Sequence, residues 1–152
     1  MRESLKNGTD ELQTFTANFD HLALKRIDRI EKGHRKLTPT ICLKNLRDEE
    51  GNLVSDHVWL NYDAAFRKLG ILQKNDQILF RSRSKKYHKG IYKEKVDYKI
   101  AQPRKVKLLT QHKYQPMPID KQAVIGYIMC LKGEKGGGNY TKAYHEWAFN
   151  NQ

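Results

Sequence analysis

In "LQTFTANFDHLAL" the apolar Phe15, Ala17 and Phe19 alternate with Thr14, Thr16 and Asn18, and a period of two predicts a half-buried first strand. The alternation fades in "KRIDRIEKGHRK", which predicts a long basic connection. Ile27 and Ile30 also have the spacing of a short helix there. "LTPTICLKNLRD" predicts a second strand, with Ile41 and Leu43 on one face and Cys42 and Lys44 on the other. Gly51-Asn52 supplies a hairpin turn into "LVSDHVWLNY". In this third strand Val54, Val58, Leu60 and Tyr62 share one parity, and Ser55, His57, Trp59 and Asn61 the other.

Asp63 is placed to cap a short helix, "AAFRKLG", and Gly70 to end it in a left-handed conformation. "QILFRSRSKKY" predicts the fourth strand, with Ile78 and Phe80 facing one way and Leu79, Arg81, Arg83, Lys85 and Tyr87 the other. "HKGIYKEK" closes a hairpin and "VDYKIAQPRKVKLL" returns as the fifth strand. Pro103 lacks an N–H for a sheet ladder, so it marks an edge or a bulge. The last segment reads as helical. Asp120 stands at a cap position before Val124, Tyr127, Ile128 and Leu131 at helical spacing. After the glycine-rich "GEKGGGN", Tyr140, Tyr144, Trp147 and Phe149 line a final helix, where core packing is the first reading and a partner-binding face the second.

The predicted fold class is mainly β with α: five strands with one short helix between the third and fourth, followed by a C-terminal helical extension. The expected organisation is a polar tail over 1–10, a β domain over 11–110 and the extension over 111–152. This element order resembles the OB-fold barrel of nucleic-acid-binding proteins, an architectural likeness over residues 12–109. Other small barrels, and α+β sheets with one helix, share the order. The resemblance implies ligand contact on the face of strands 2 and 3 and in the loops joining strands 1–2 and 4–5.

Charge sharpens that expectation. The 152-residue chain carries a net +12, and Arg81–Lys107 holds eleven basic residues against Glu94 and Asp97, a local excess of +9. A concentrated basic segment suits a polyanion. Residues expected to contact nucleic acid are Arg81, Arg83, Lys85, Lys86, Tyr87, Lys89, Tyr92, Lys93 and Lys95 of the 4–5 hairpin. Arg26, Arg29 and Arg35 of the 1–2 connection join them, with Lys44, His57 and Trp59 on the strand 2–3 face. Basic groups neutralise phosphates, and Trp59, Tyr87 and Tyr92 offer rings to unpaired bases. Each has a structural reading beside it: a lysine-rich hairpin protects strand edges, paired tyrosines brace a hairpin, and Trp59 packs under the tail.

No sequence feature calls for catalysis. There is no GxSxG elbow, no HExxH, and "GEKGGGN" lacks the GK[ST] of a phosphate-binding loop. Asp48, Glu49 and Glu50 read as a polar hairpin tip ahead of a cation site. Cys42 and Cys130 lack CxxC spacing and read as reduced thiols of a cytoplasmic protein, with no metal and no cofactor expected. No apolar run is long enough to cross a membrane, and no apolar leader opens the chain. The expected partner is single-stranded nucleic acid, DNA ahead of RNA, as in an accessory protein of a phage or mobile element. The alternative is an inhibitor or accessory factor that docks on an acidic or nucleic-acid-binding surface of another protein, with the C-terminal segment as a contact. Composition does not set the oligomeric state.

Overall fold

The computed structural model describes residues 12–29, 34–89, 95–133 and 138–150, with the backbone alone at 27–29, 34–36, 84–89 and 95–99. Six strands and three helices follow in the order β1 (Leu12–Arg29), β2 (His34–Arg47), β3 (Leu53–Asn61), α1 (Ala64–Arg67), β4 (Gln77–Lys89), β5 (Lys95–Ile100), β6 (Arg104–Leu108), α2 (Lys121–Leu131) and α3 (Asn139–Asn150). The protein is therefore mainly β with α. The strands form one sheet in the order β3-β2-β1-β4-β5, with β6 also paired to β4. β4 runs antiparallel to β1, β5 and β6. Among the described residues no pairing joins β3 to β5, so the sheet is open where a barrel was expected.

Two expectations about the strands are corrected. The basic connection between strands 1 and 2 is largely strand: β1 continues to Arg29 and β2 starts at His34. Ile27 is extended, which removes the short-helix reading. Lys25–Arg29 has Ile27 as its single apolar residue, so no alternation is visible, and only the extended backbone of β1 reveals the strand. The fifth strand is two strands. Ser84 pairs with Ile100, whereas Ile78 pairs with Leu108 and Arg81 with Arg104, so the register slips between β5 and β6. Pro103 lies in the gap, as its missing N–H requires. Ala101 holds the junction, donating its N–H to Arg83 O at 2.7 Å and accepting from Ser82 Oγ at 2.6 Å. Lys105 takes up the irregularity at φ 51°, a left-handed conformation disfavoured for lysine.

The chain divides into two compact units. The first contains residues 12–21, 42–60, 72–89 and 95–113. Its core is Phe15, Ala17, Phe19, Leu43, Leu46, Val54, Leu60, Ile78, Phe80, Ile100 and Val106. Phe15 stands opposite Phe80 in the register, their rings 5.8 Å apart. At the β2–β3 turn, Asp48 Oδ1 accepts the N–H groups of Glu50 (3.0 Å) and Asn52 (2.9 Å), so this acidic tip is closed by its own backbone. A second clip joins Asp76 to the chain after β6. Asp76 Oδ2 accepts the Gln73 N–H at 2.8 Å and meets His112 Nε2 at 2.8 Å, while His112 Nδ1 lies 3.1 Å from Lys113 O. Both ring nitrogens thus face acceptors, which only the imidazolium satisfies with two donors.

The second unit contains residues 22–29, 34–41, 61–71, 114–133 and 138–150. Asp63 caps α1 as expected, its Oδ1 accepting the Ala65 N–H at 3.1 Å. Phe66, Tyr62, Leu22, Ile41, Met117, Val124, Ile125, Ile128 and Met129 form the core. Burial drives the Tyr62 phenol well above its ordinary pKa and keeps it neutral. Gly70 has φ 81°, and a Cβ there would overlap Gln115 O and the Tyr114 ring. Gly126 brings α2 and α3 together, because a Cβ at this position would overlap the Tyr140 carbonyl. Tyr127 meets Tyr144 at a ring distance of 5.4 Å. The aromatic stripe of α3 is only partly used for packing: Tyr140, Tyr144 and Trp147 are half-buried and Phe149 is exposed.

Two outcomes are expected. Gly126→Ala should lower the melting temperature, since backbone overlap costing about 1–3 kcal/mol outweighs the gain of about 1 kcal/mol in helix propensity. A thermal melt checks this. The His112 pKa is raised, first by its bond to the Lys113 carbonyl and then by Asp76. Its contribution to stability is complete below the unfolded histidine pKa of roughly 6.5 and is lost as pH rises through the folded value. The stability difference between wild type and His112→Ala should therefore be largest in mildly acidic buffer and shrink toward alkaline pH in paired melts.

Candidate nucleic-acid interface

β4 carries the chemistry because its two parities are sorted. Ile78, Phe80 and Ser82 are buried, while Leu79 and Arg81 are half-buried and Arg83 is exposed. The register sets Arg81 between Thr14 of β1 and Arg104 of β6, and Leu79 between Thr16 and Lys107. Farther along, Lys85 stands opposite Lys99 and Lys89 opposite Lys95, with Tyr87 opposite Asp97 and Lys86 opposite Tyr98. Three cross-strand pairs are therefore of like positive charge. Such pairs destabilise a sheet by a few tenths to about 1 kcal/mol each. Among the described residues the buried Arg81 Nε–H meets no hydrogen-bond acceptor. A buried donor left unmade costs about 1–3 kcal/mol.

A second group of the expected contacts lies on β2 and β3 of the same unit. Trp59 is 52 % exposed, and His21 meets it edge-on with ring centroids 5.1 Å apart. His57 is exposed as well, beside the buried Ser55, whose Oγ donates to His57 O at 2.8 Å. Lys44 is half-buried, its Nζ 3.9 Å from Asp20 Oδ1. Asp20 accepts from His21 Nδ1 at 2.7 Å, the bond that chiefly holds its carboxyl below the usual range. Behind them Cys42 is 2 % exposed, and burial, then the Asp20 charge, pushes its thiol pKa up.

Of the remaining expected contacts, Arg26 is exposed near the end of β1. Arg29 and Arg35 occupy strand positions of β1 and β2, and Lys95 opens β5. Tyr92 and Lys93 lie outside the described residues. Arg104 and Lys107 were not singled out as contacts, although their letters entered the charge count. Their placement beside β4 depends on the chain resuming strand after Pro103. Asp20 and His21 sit in no sequence motif and approach Cys42 only through the neighbourhood of β1 and β2.

No protein-family model, curated protein or solved structure matches the chain. Among the described residues, no helix is long and apolar enough to cross a membrane.

Arg104→Glu should raise the stability of the free protein by about 0.5–1 kcal/mol, since it replaces a repulsive cross-strand pair with an attractive one. Denaturant titrations at low and high salt check this; the gain should shrink as salt screens the pair.

Proposed function

We propose that this protein binds single-stranded nucleic acid, DNA ahead of RNA, as a non-enzymatic cytoplasmic factor. The observation that carries the reading is the ladder of like charges, Arg81 opposite Arg104, Lys85 opposite Lys99 and Lys89 opposite Lys95. Mutual repulsion in the free state becomes attraction when phosphates lie along the ladder, and release of condensed counterions drives association. Arg83, Arg104, Lys105 and Lys107 add exposed basic side chains.

Trp59 supports unpaired bases as the ligand. An indole half open to solvent gives a stacking surface worth about 1–3 kcal/mol per base. Duplex bases are already stacked and offer no such face. The strand order places β1 between β2 and β4, the neighbours that an OB-fold gives its first strand, and α1 follows β3 as in that fold. We therefore read the sheet as OB-like and open, with the β4–β5 hairpin and the β2–β3 face as the contact regions.

A second reading rests on Ile119, Leu131 and Phe149, large apolar side chains left exposed around α2 and α3. They favour a protein partner for the C-terminal segment, and the basic ladder would then steer association with an acidic surface.

Fluorescence anisotropy with a labelled single strand and a matched duplex, each at several salt concentrations, tests the proposal. The single strand should bind more tightly, with strong salt dependence. Replacing Arg81, Arg83 and Lys85 together by Ala should weaken binding on every sequence and reduce the salt slope by about two, given about 0.7 per phosphate contact on single strands. Trp59→Ala should lower affinity while leaving the slope unchanged, because stacking releases no counterions. Equal, weak binding of both forms would overturn the proposal and leave the protein-partner reading.

A further inference from the structure

The strand β1 breaks its own alternation once. Phe15, Ala17 and Phe19 are buried at odd positions, but the next buried residue is Leu22, so the parity changes across Asp20 and His21. The hydrogen-bond pattern explains where. Up to Asn18 the strand pairs with β4, whereas Phe19 exchanges bonds with the turn before β4: its N–H donates to Asp76 O and its carbonyl accepts from the Asn75 N–H, both at 2.8 Å. A strand normally sends consecutive side chains to opposite faces. Here two consecutive polar residues instead approach one point, the thiol of Cys42 on β2.

One donor atom from each of Asp20, His21 and Cys42 lies within 4.8 Å of the others. The three differ in kind: a carboxylate oxygen, an imidazole nitrogen and a sulfur. Structural ion pairs need no sulfur, and a buried cysteine filling a core needs no carboxylate against it. Magnesium and calcium sites are built from oxygen alone, whereas sulfur with imidazole is the donor set of zinc. Burial also distributes the donors as a metal site would. Cys42 is buried, Asp20 half-buried and His21 exposed, so sulfur is shielded from solvent while the other two remain within reach of an incoming ion.

We propose that Asp20, His21 and Cys42 bind one zinc ion in a three-ligand site with its fourth position open to water. Bond lengths of about 2.0–2.3 Å to the three donors require only that the Asp20–His21 bond open and the side chains close on a common centre. Lys44 Nζ, held loosely by Asp20 at 3.9 Å, gives way to the ion. Binding takes the thiol to thiolate and releases its proton to solvent, so affinity rises with pH. Trp59, edge-on to His21 at 5.1 Å, lies close enough to report the event. The proposal does not rest on nucleic-acid binding, although the site adjoins Lys44 and Trp59 of the candidate interface.

Cobalt titration of the full chain tests this. One equivalent of cobalt should produce a near-ultraviolet thiolate charge-transfer band and quench part of the tryptophan fluorescence, and zinc should abolish the band by displacement. Cys130→Ala should leave the band unchanged and Cys42→Ala should remove it. Because Cys42 is buried and its replacement can disturb the core, His21→Ala and Asp20→Asn provide the independent arm. Each should weaken cobalt binding at least about tenfold in a protein with wild-type circular dichroism. Absence of a thiolate band at one equivalent, or a band of unchanged affinity in His21→Ala and Asp20→Asn, would overturn the proposal.

Discussion

The pairing of β4 with β1, fixed where Phe15 faces Phe80 and Ala17 faces Ile78, sets where the basic residues of β4 stand. Side chains alternate with a period of two, so a slip of one residue would turn Arg81 inward and expose Phe80. Burial of two phenylalanines, an isoleucine and an alanine makes that slip costly, at about 25 cal/mol for each Å² of apolar surface returned to water. The apolar parity of one strand thus determines where its charged parity is displayed. Repulsion between Arg81 and Arg104 is far too small to displace it.

Local departures from regularity then decide which side chains meet. Pro103 divides the return strand, and the shifted register beyond it sets Arg104 and Lys107 beside Arg81 and Leu79. The parity change at Asp20 and His21 does the same on β1, gathering two polar residues against Cys42. Bulges and breaks re-aim side chains that a regular ladder would keep apart. The sheet supplies rigidity, and its irregularities supply juxtaposition.

Much of the fold was legible in the sequence, for identifiable reasons. Alternation marked β1, β3 and β4; Asp63 and Gly70 marked α1; Pro103 marked the break in the return strand. The outer part of β1 was not legible, because a single Ile27 among Lys25–Arg29 sets no apolar parity to reveal an extended backbone. The helices α2 and α3 were visible as apolar spacing, but the role of Gly126 was not, since close approach to Tyr140 is a tertiary fact. At the candidate interface the basic letters were plain, whereas their pairing like against like required the register. The Asp20–His21–Cys42 cluster left no trace, because 21 positions separate His21 from Cys42 and only strand neighbourhood joins them.

Edge protection explains lysines on strands with an open side, and it applies poorly to Arg81. That residue has Thr14 of β1 on one side and Arg104 of β6 on the other, so its strand presents no free edge at this point. A charge at such an interior position deters no edge-to-edge pairing. The residue is half-buried, its Nε–H meets no acceptor among the described residues, and its cross-strand neighbour carries the same sign. Solubility would be served as well by a charge of either sign, and an acidic residue at position 104 would serve stability better. A concentration of one sign on adjacent strands carries a cost in stability, and the proposed binding of a phosphate-bearing strand is what would relieve it.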